Sequence, residues 1–182
     1  SLHDALPILA HDGGRGLIVC PLGVRQEFAR DARLLGVEAS FVRRSEEVSA
    51  DGIYLTNYES VRDGRLDPGL FDVASLDEAS VLRSFGSKTY QTFLGLFDQV
   101  PYRFVATATP SPNRYKELIH YAGFLGIMDT GQALTRFFQR DSTKANNLTL
   151  YPHKEREFWL WLASWAVFVQ RPSDLGYSDA GY

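Results

Sequence analysis

The sequence predicts an α/β protein built around a parallel β-sheet, and three observations support this class. Short apolar runs at positions 17–20, 52–56 and 71–76 are typical of strands buried on both faces. Segments between these runs carry apolar residues at helical spacing. Polar residues follow the runs directly. Strands that alternate with helices favour a parallel sheet with helices on its faces.

Five strands are expected in chain order, at positions 17–20, 38–42, 52–56, 71–76 and 103–106. A helix is predicted after the first strand because Val24, Phe28, Ala32 and Leu35 share one helical face, and Gly36 ends it. Another helix is predicted across positions 90–97, before the fifth strand. In parallel sheets of this kind, ligands bind at the carboxyl ends of the strands.

After the fifth strand the pattern becomes entirely helical, with helices predicted at positions 115–125, 134–138 and 158–169. The change of pattern near Met128 is the candidate boundary. We therefore expect a partial sheet-containing lobe at 13–128 and an all-helical extension at 129–182. Residues 1–12 show no clear period and include Pro7, which would break a helix, so we expect a frayed or foreign segment there.

Composition narrows the class of protein further. The chain has 182 residues, 45% of them hydrophobic and 23% charged, which is the balance of an ordinary globular protein. The net charge of −3 and the scattered Arg and Lys give no support for nucleic-acid binding, although a local groove can be basic on an acidic protein. No apolar run reaches the roughly 20 residues that span a bilayer, so no membrane partner is expected. A single cysteine, Cys20, excludes an internal disulfide and fits a cytoplasmic location.

The acidic pair Asp77 and Glu78 is the sharpest chemical feature, because it directly follows an apolar strand. Two carboxylates at such a strand end can hold a hydrated Mg²⁺ and orient a water molecule. The alternative is an ordinary helix start, where an acidic cap and an acidic first turn are favourable. Taken alone, the pair does not decide between these interpretations.

A second polar cluster, Thr107, Thr109 and Pro110, follows the fifth strand. Threonine hydroxyls can donate to a carboxylate or to a phosphate oxygen. The alternative is a turn in which Pro110 and Pro112 end the strand. Thr56 and Asn57 form a third polar strand end.

Other candidate site motifs in the sequence do not have the residue spacing that their chemistry requires. Residues 86–89, GSKT, lack the glycines of the phosphate loop G-x-x-x-x-G-K-[ST], and they are interpreted as a helix start. The histidines lie far apart without metal-ligand spacing. Cys20 lies inside an apolar strand and is expected to be inert core.

In order along the chain, these segments resemble the first motor lobe of superfamily 2 helicase-like ATPases of the Swi/Snf type. LIVCPL at 17–22 resembles motif Ia, and YLTNYE at 54–59 resembles the "TxYE" element. LDEAS at 76–80 resembles the DEAD/DEAH box, with Ala79-Ser80 in place of the commoner Ala-His. YRFVATATP at 102–110 resembles motif III, usually written "RLxLTGTP". The sequence is most similar to the bacterial and phage members of this group, which have a "TATP" motif and a tail like residues 161–177.

This resemblance implies a RecA-like lobe of a P-loop NTPase that uses ATP and Mg²⁺ to move on DNA. Asp77 would contact Mg²⁺ and Glu78 would activate the attacking water. The residues that would couple the ATP site to the nucleic acid are Thr107, Thr109 and Pro110. The residues that would lie along the DNA backbone are Pro21, Thr56, Asn57 and Tyr58. Backbone contacts carry no sequence information, so DNA binding would be nonspecific.

Two parts of such a motor are expected but do not occur in the sequence. The phosphate loop would precede residue 17 by about 20–40 residues in a strand–helix–strand unit. The second helicase lobe, a further expected partner, would follow residues 165–174. We therefore expect an N-terminally truncated fragment that is inactive alone, from a parent that hydrolyses ATP. The alternatives are a non-catalytic remnant that binds DNA or a partner, and an unrelated parallel-sheet enzyme in which the acidic pair is a simple metal site.

Overall fold

The computed structural model describes residues 13–80, 87–108, 115–140 and 148–181. The chain forms two compact units, of which the first ends at Gly126 and the second begins at Ile127. The expected frayed segment at 1–12 lies outside the described residues, as do Thr109 and Pro110.

A five-stranded parallel sheet forms the centre of the first unit. Its strands are β1 (Arg15–Val19), β2 (Ala39–Phe41), β3 (Gly52–Thr56), β4 (Val73–Asp77) and β5 (Tyr102–Ala106). They lie side by side in the order β2-β3-β1-β4-β5, and every neighbouring pair is parallel. The predicted α/β architecture with a parallel sheet is therefore confirmed, and each expected strand is found within a few residues of its predicted position.

Helices connect these strands and cover the sheet. They are α1 (Arg25–Leu34), α2 (Tyr58–Arg62), α3 (Ser87–Gly95) and α4 (Lys116–Phe124). The amphipathic helix α1 is confirmed, and Phe28 and Ala32 pack against Ile18, Ile53 and Leu55 of the sheet. The short helix α2 was not predicted, because five residues are too few to show a helical period. Helix α3 begins at Ser87, as the helix-start interpretation of residues 86–89 predicted.

A row of aromatic rings joins α2, α3 and α4. The Tyr58 ring lies 5.7 Å from Phe93, and Phe97 lies 5.4 Å from both Phe93 and Phe124. All of these side chains are buried. Rings at these separations contribute packing beyond the burial of their area. The row therefore fixes the position of Tyr58, whose hydroxyl reaches the candidate site.

The start of β1 is set by a carboxylate that leaves no room for a side chain. Asp72 accepts a hydrogen bond from the Arg15 amide at 2.8 Å. Gly14 has φ +101°, and a Cβ there would lie 2.4 Å from the Asp72 carboxylate oxygen. Only glycine tolerates this conformation and this approach. The hydrogen bonds between Arg15 and Asp72 thus link the amino ends of β1 and β4.

The second unit corrects one prediction, because it is not all-helical. It contains α5 (Thr130–Phe137), β6 (Phe138–Arg140), β7 (Leu148–Leu150) and α6 (Glu155–Ala163). Strands β6 and β7 pair antiparallel, with Phe138 opposite Leu150. Phe138 was expected to be helical, but helix α5 ends at Phe137 and Phe138 begins a strand whose backbone pairs with β7.

The core of the second unit is aromatic. Phe137 and Phe158 are fully buried, with ring centroids 5.4 Å apart, and Trp161 lies 5.0 Å from Phe137. Helix α6 ends at Ala163, so the predicted extension of this helix to residue 169 is wrong. In the described ranges of both units, every helix is either too short or too polar to span a membrane.

The leucine positions of the first unit provide a test of the packing. Leu55→Ala is expected to lower the free energy of unfolding by about 2–5 kcal/mol, because Leu55 is 1% exposed and its removal leaves a cavity. Leu34→Ala is the matched control, since Leu34 is 80% exposed on α1 and its loss should change stability little. Urea unfolding followed by circular dichroism measures both. Equal losses would contradict the assignment of this core.

Candidate functional site

The neighbouring strands of the sheet end at nearly the same register position, and this brings polar residues together at one edge. Val19 lies opposite both Thr56 and Leu76, and Asp77 lies opposite Ala106. The chain then continues from β1 into Cys20, whose amide donates to the Thr56 carbonyl at 2.9 Å. The polar segments that follow β3, β4 and β5 thus meet at the carboxyl edge, where ligands bind in sheets of this type.

Asp77 ends β4 with a half-buried carboxylate. Burial raises the pKa of this carboxyl above its ordinary value, and the neighbouring charge of Glu78 raises it further. Its carboxylate oxygens receive no hydrogen bond from any residue in the described ranges. A carboxylate that is partly removed from water is one that a bound cation would stabilise.

Cys20 lies near this carboxylate. Burial, followed by the charge of Asp77, raises the pKa of the Cys20 thiol to about 12. The side chain is fully buried and carries no disulfide. The prediction that Cys20 is part of the core is confirmed, and at neutral pH it remains a protonated thiol.

Glu78 has the one left-handed backbone conformation among the non-glycine residues that the structure describes, with φ +49°. Such a conformation costs about 1–3 kcal/mol and persists only where neighbouring groups hold it. Its carboxylate accepts hydrogen bonds from the Ser80 hydroxyl and, at 3.2 Å, from the Thr107 hydroxyl. The Ala108 amide lies 3.5 Å from its second oxygen. Glu78 is therefore held by its own turn and by the segment after β5.

Thr107 is thus brought to the acidic pair, whereas its predicted companions Thr109 and Pro110 lie outside the described residues. The contact joins the ends of β4 and β5 through side chains that are 29 positions apart in the sequence. A change in the position of Glu78 would be transmitted directly to the segment after β5.

Tyr58 occupies a different place from the one that its resemblance-based role requires. Its side chain is 1% exposed, and its hydroxyl donates to the backbone carbonyl of Asp77 at 2.8 Å. Burial raises the pKa of the Tyr58 phenol, with the charge of Asp77 as the next cause, so the hydroxyl stays a donor. In this conformation the buried side chain contacts the backbone of the acidic pair rather than solvent, and its contact with DNA stays a prediction.

Thr56 and Asn57 are also turned inward. Thr56 is fully buried and donates to the Val42 carbonyl at 2.8 Å. Asn57 is 9% exposed, donates to Glu59 at 2.6 Å and accepts from the Ser60 hydroxyl at 2.6 Å. Both side chains thus satisfy neighbouring polar groups, as is usual for polar groups at a buried strand end.

Pro21 is the remaining residue expected to lie along DNA. It is half-buried at the end of β1, beside Leu22, which is 44% exposed. Among the four expected DNA contacts, it is the one whose side chain keeps substantial access to solvent.

The acidic pair can supply only part of a metal site. In the portions of the chain that the structure describes, no group of three or more His, Cys, Asp or Glu side chains is placed to hold a metal ion. Mg²⁺ needs six near-octahedral ligands and usually takes one or two carboxylates, with waters and substrate phosphates completing the set. The half-buried Asp77 carboxylate fits that role, with Glu78 beside it.

Sequence reasoning missed the contribution of Ser80. Its hydroxyl donates to Glu78, two positions earlier in the same turn. The signal in the sequence was Ser80 itself, which lies two positions after Glu78. A serine two positions after a carboxylate can bond to it locally.

Comparison of the sequence with the models of known protein families and with curated proteins finds no match. The candidate site is therefore defined by its own geometry, with two acidic residues and one threonine at the carboxyl edge of a parallel sheet.

The raised pKa of Asp77 predicts a gain of stability on its neutralisation. The carboxyl pKa is higher in the folded chain than in the unfolded chain, so the free energy of unfolding falls as pH rises from the unfolded-state pKa to the folded-state pKa. The lost stability is not regained at higher pH. Asp77→Asn should therefore raise the melting temperature at neutral pH. The gain should disappear near about pH 3, where the carboxyl is protonated in both states.

Calorimetric melting of the wild type and the variant across this pH range measures the effect. Asp51→Asn is a suitable control, because it makes the same chemical change at an exposed position just before β3. A melting temperature that is unchanged or lower in Asp77→Asn at neutral pH, or a gain shared by Asp51→Asn, would contradict the burial of this charge.

Proposed function

We propose that this chain is part of the first motor lobe of an ATP-dependent DNA helicase or translocase of the Swi/Snf type. Asp77 and Glu78 supply the acidic half of its ATP site. One observation carries the proposal: a half-buried carboxylate whose pKa is raised by burial lies at a strand end, next to a glutamate that is held by Thr107 of the neighbouring segment.

The arrangement suits phosphoryl transfer from a nucleotide. Asp77 would hold the Mg²⁺ that neutralises charge on the transferred phosphate. Glu78, beside it, is placed to orient a water molecule and to accept its proton. Thr107 donates to Glu78, so the position of this base depends on the segment after β5. Each function requires a carboxylate whose direction is fixed, which agrees with the hydrogen bonds around Glu78.

The architecture supports the same proposal. A parallel sheet flanked by helices is compatible with a RecA-like lobe, and the strands that end in Asp77 and Ala106 are neighbours. The motifs occur in the chain order of the family, over positions 17–22, 54–59, 76–80 and 102–110. The strands that these segments include end at one edge of the sheet, which fits a site assembled from several loops.

The partners are proposed on the resemblance, namely DNA bound through its backbone and the second lobe of the motor. Thr56, Asn57 and Tyr58 are buried, so their side chains do not support the expected DNA contacts. DNA binding would instead use other residues at the carboxyl edge, such as the exposed segment after Pro21. Contacts of this kind would weaken with salt.

Glu78→Gln tests the catalytic assignment in the complete natural protein that contains these residues. ATP hydrolysis should be stimulated by DNA in the wild type and should fall by about a hundredfold or more in the variant, because an amide cannot accept the proton. Steady-state phosphate release measures both rates. Glu46→Gln is the control, since Glu46 is an exposed residue near the end of β2, three strands away from β4. Unchanged turnover in Glu78→Gln would falsify the assignment.

A non-catalytic remnant is the second candidate function, and one observation favours it. The sequence has no G-x-x-x-x-G-K-[ST] segment, and such a loop supplies most contacts to the phosphates. The acidic pair would then have no catalytic role, and the lobe would only bind DNA or a partner protein.

Isothermal titration of the 182-residue chain with Mg-ATP separates the chain's own contribution from that of a phosphate loop. Binding too weak to detect at millimolar nucleotide is expected for the chain by itself, because its sequence lacks the loop. Micromolar binding that is lost in Asp77→Asn would reject the remnant and would place the complete nucleotide site within these residues.

A further inference from the structure

We propose that Tyr58 is a positioning residue for the acidic pair: its buried hydroxyl holds the peptide between Asp77 and Glu78, and so sets the direction of the Glu78 carboxylate. This inference rests on the proposed function for its catalytic consequence. It gives Tyr58 a role different from the DNA contact that the resemblance implies.

Tyr58 is a rigid support. It begins α2, and its ring lies 5.7 Å from that of Phe93, within the aromatic row that continues to Phe97. With 1% of its surface exposed, the side chain has little freedom to change rotamer. Its hydroxyl is thereby presented to one acceptor, the Asp77 carbonyl, at 2.8 Å.

The accepting carbonyl belongs to the peptide that leads into the strained residue. The ladder between β1 and β4 reaches Leu76, and the ladder between β4 and β5 reaches Asp77. Glu78 therefore lies beyond the sheet register, with φ +49°, where an L residue is intrinsically unfavourable. A hydrogen bond that fixes the preceding peptide plane restricts how this turn can relax.

The carboxylate of Glu78 has its own holders, the hydroxyls of Ser80 and Thr107. They act on the side chain, whereas Tyr58 acts on the backbone that carries it. Rotation of the Asp77–Glu78 peptide would move Glu78 away from both hydroxyls together. The three hydrogen bonds therefore together hold Glu78, and Tyr58 is the residue among them that belongs to α2.

The connection also gives the acidic pair a link to the end of β3. Tyr58 directly follows Thr56 and Asn57, so a shift of this segment would move the hydroxyl that holds Asp77. A ligand that displaced α2 would thus change the direction of Glu78 without touching it.

Tyr58→Phe removes the hydroxyl and keeps the ring, and the chain offers a matched control in Tyr54→Phe. Tyr54 is 6% exposed, its hydroxyl also donates to a backbone carbonyl, that of Ala50 at 2.7 Å, and its ring lies 5.7 Å from Phe71. Both variants lose a hydroxyl bond donated to a backbone carbonyl in the same unit, and Tyr54→Phe also loses the bond that Tyr54 accepts from the Ala50 amide at 3.2 Å, so the control perturbs its own surroundings at least as much. Of the two tyrosines, Tyr58 is the one that contacts the acidic pair.

The first readout is ATP turnover in the complete natural protein. In Tyr58→Phe, kcat should fall by about tenfold or more while KM for Mg-ATP changes by less than about threefold, because misplacement of a catalytic group affects the chemical step. Tyr54→Phe should leave both constants within about twofold of the wild type.

The second readout needs no activity. In ¹⁵N-labelled chain, the amide resonances of Glu78, Ala79 and Ala108 should shift in Tyr58→Phe and stay in place in Tyr54→Phe. This measurement separates the inference from the proposed function. If Glu78→Gln left ATP turnover unchanged, the motor assignment would fall, and the spectra alone would decide whether Tyr58 sets the turn at Glu78.

Two results would overturn the inference. One is a Tyr58→Phe spectrum in which the resonances around Glu78 move no more than they do in Tyr54→Phe. The other is an unchanged kcat in Tyr58→Phe in a protein whose turnover Glu78→Gln abolishes. A fall in kcat together with shifts confined to the acidic turn and the segment after β5 would support it.

Discussion

The candidate site depends on the register of the parallel ladders. Because Val19 lies opposite Thr56 and Leu76, and Asp77 lies opposite Ala106, neighbouring strands end at the same height. The next residues along each strand then meet although they are distant in the chain. A shift of one position in any pairing would turn the terminal side chain to the other face of the sheet and separate the acidic pair from Thr107.

The same edge of the sheet contains features that oppose stability. Asp77 has a half-buried carboxylate whose pKa is raised by burial, and Glu78 has a left-handed backbone. Neither contributes to the core, which is made by Leu55, Phe93 and other buried apolar residues. Unfavourable charge burial and backbone strain that coincide at one ligand-binding edge are typical of functional sites, since neighbouring packing must compensate for them. This coincidence is the physical basis for the proposed nucleotide site.

The strands could be predicted because their apolar runs were long enough to show burial, and β3 was expected at its observed bounds. The side-chain contacts at the carboxyl edge of the sheet could not be predicted from the sequence. The strand-end pattern placed Thr56 and Asn57 at the ligand-binding edge, and the resemblance added Tyr58, but neither indicated that these side chains bond to the Val42 carbonyl, Glu59 and the Asp77 carbonyl. Which side a terminal polar group faces depends on tertiary packing, which has no period in the sequence. The β6–β7 pair was missed for a related reason, since three-residue strands are too short to alternate visibly.

The sole cysteine of the chain provides a built-in reporter of this edge. Thiol reagents attack the thiolate, and the Cys20 thiol is fully buried with a pKa of about 12, so the folded chain should resist alkylation at neutral pH. Labelling of Cys20 would then record each opening of the sheet beside Asp77. Fluorophores attached to cysteines introduced at the surface would also report without interference from the native thiol.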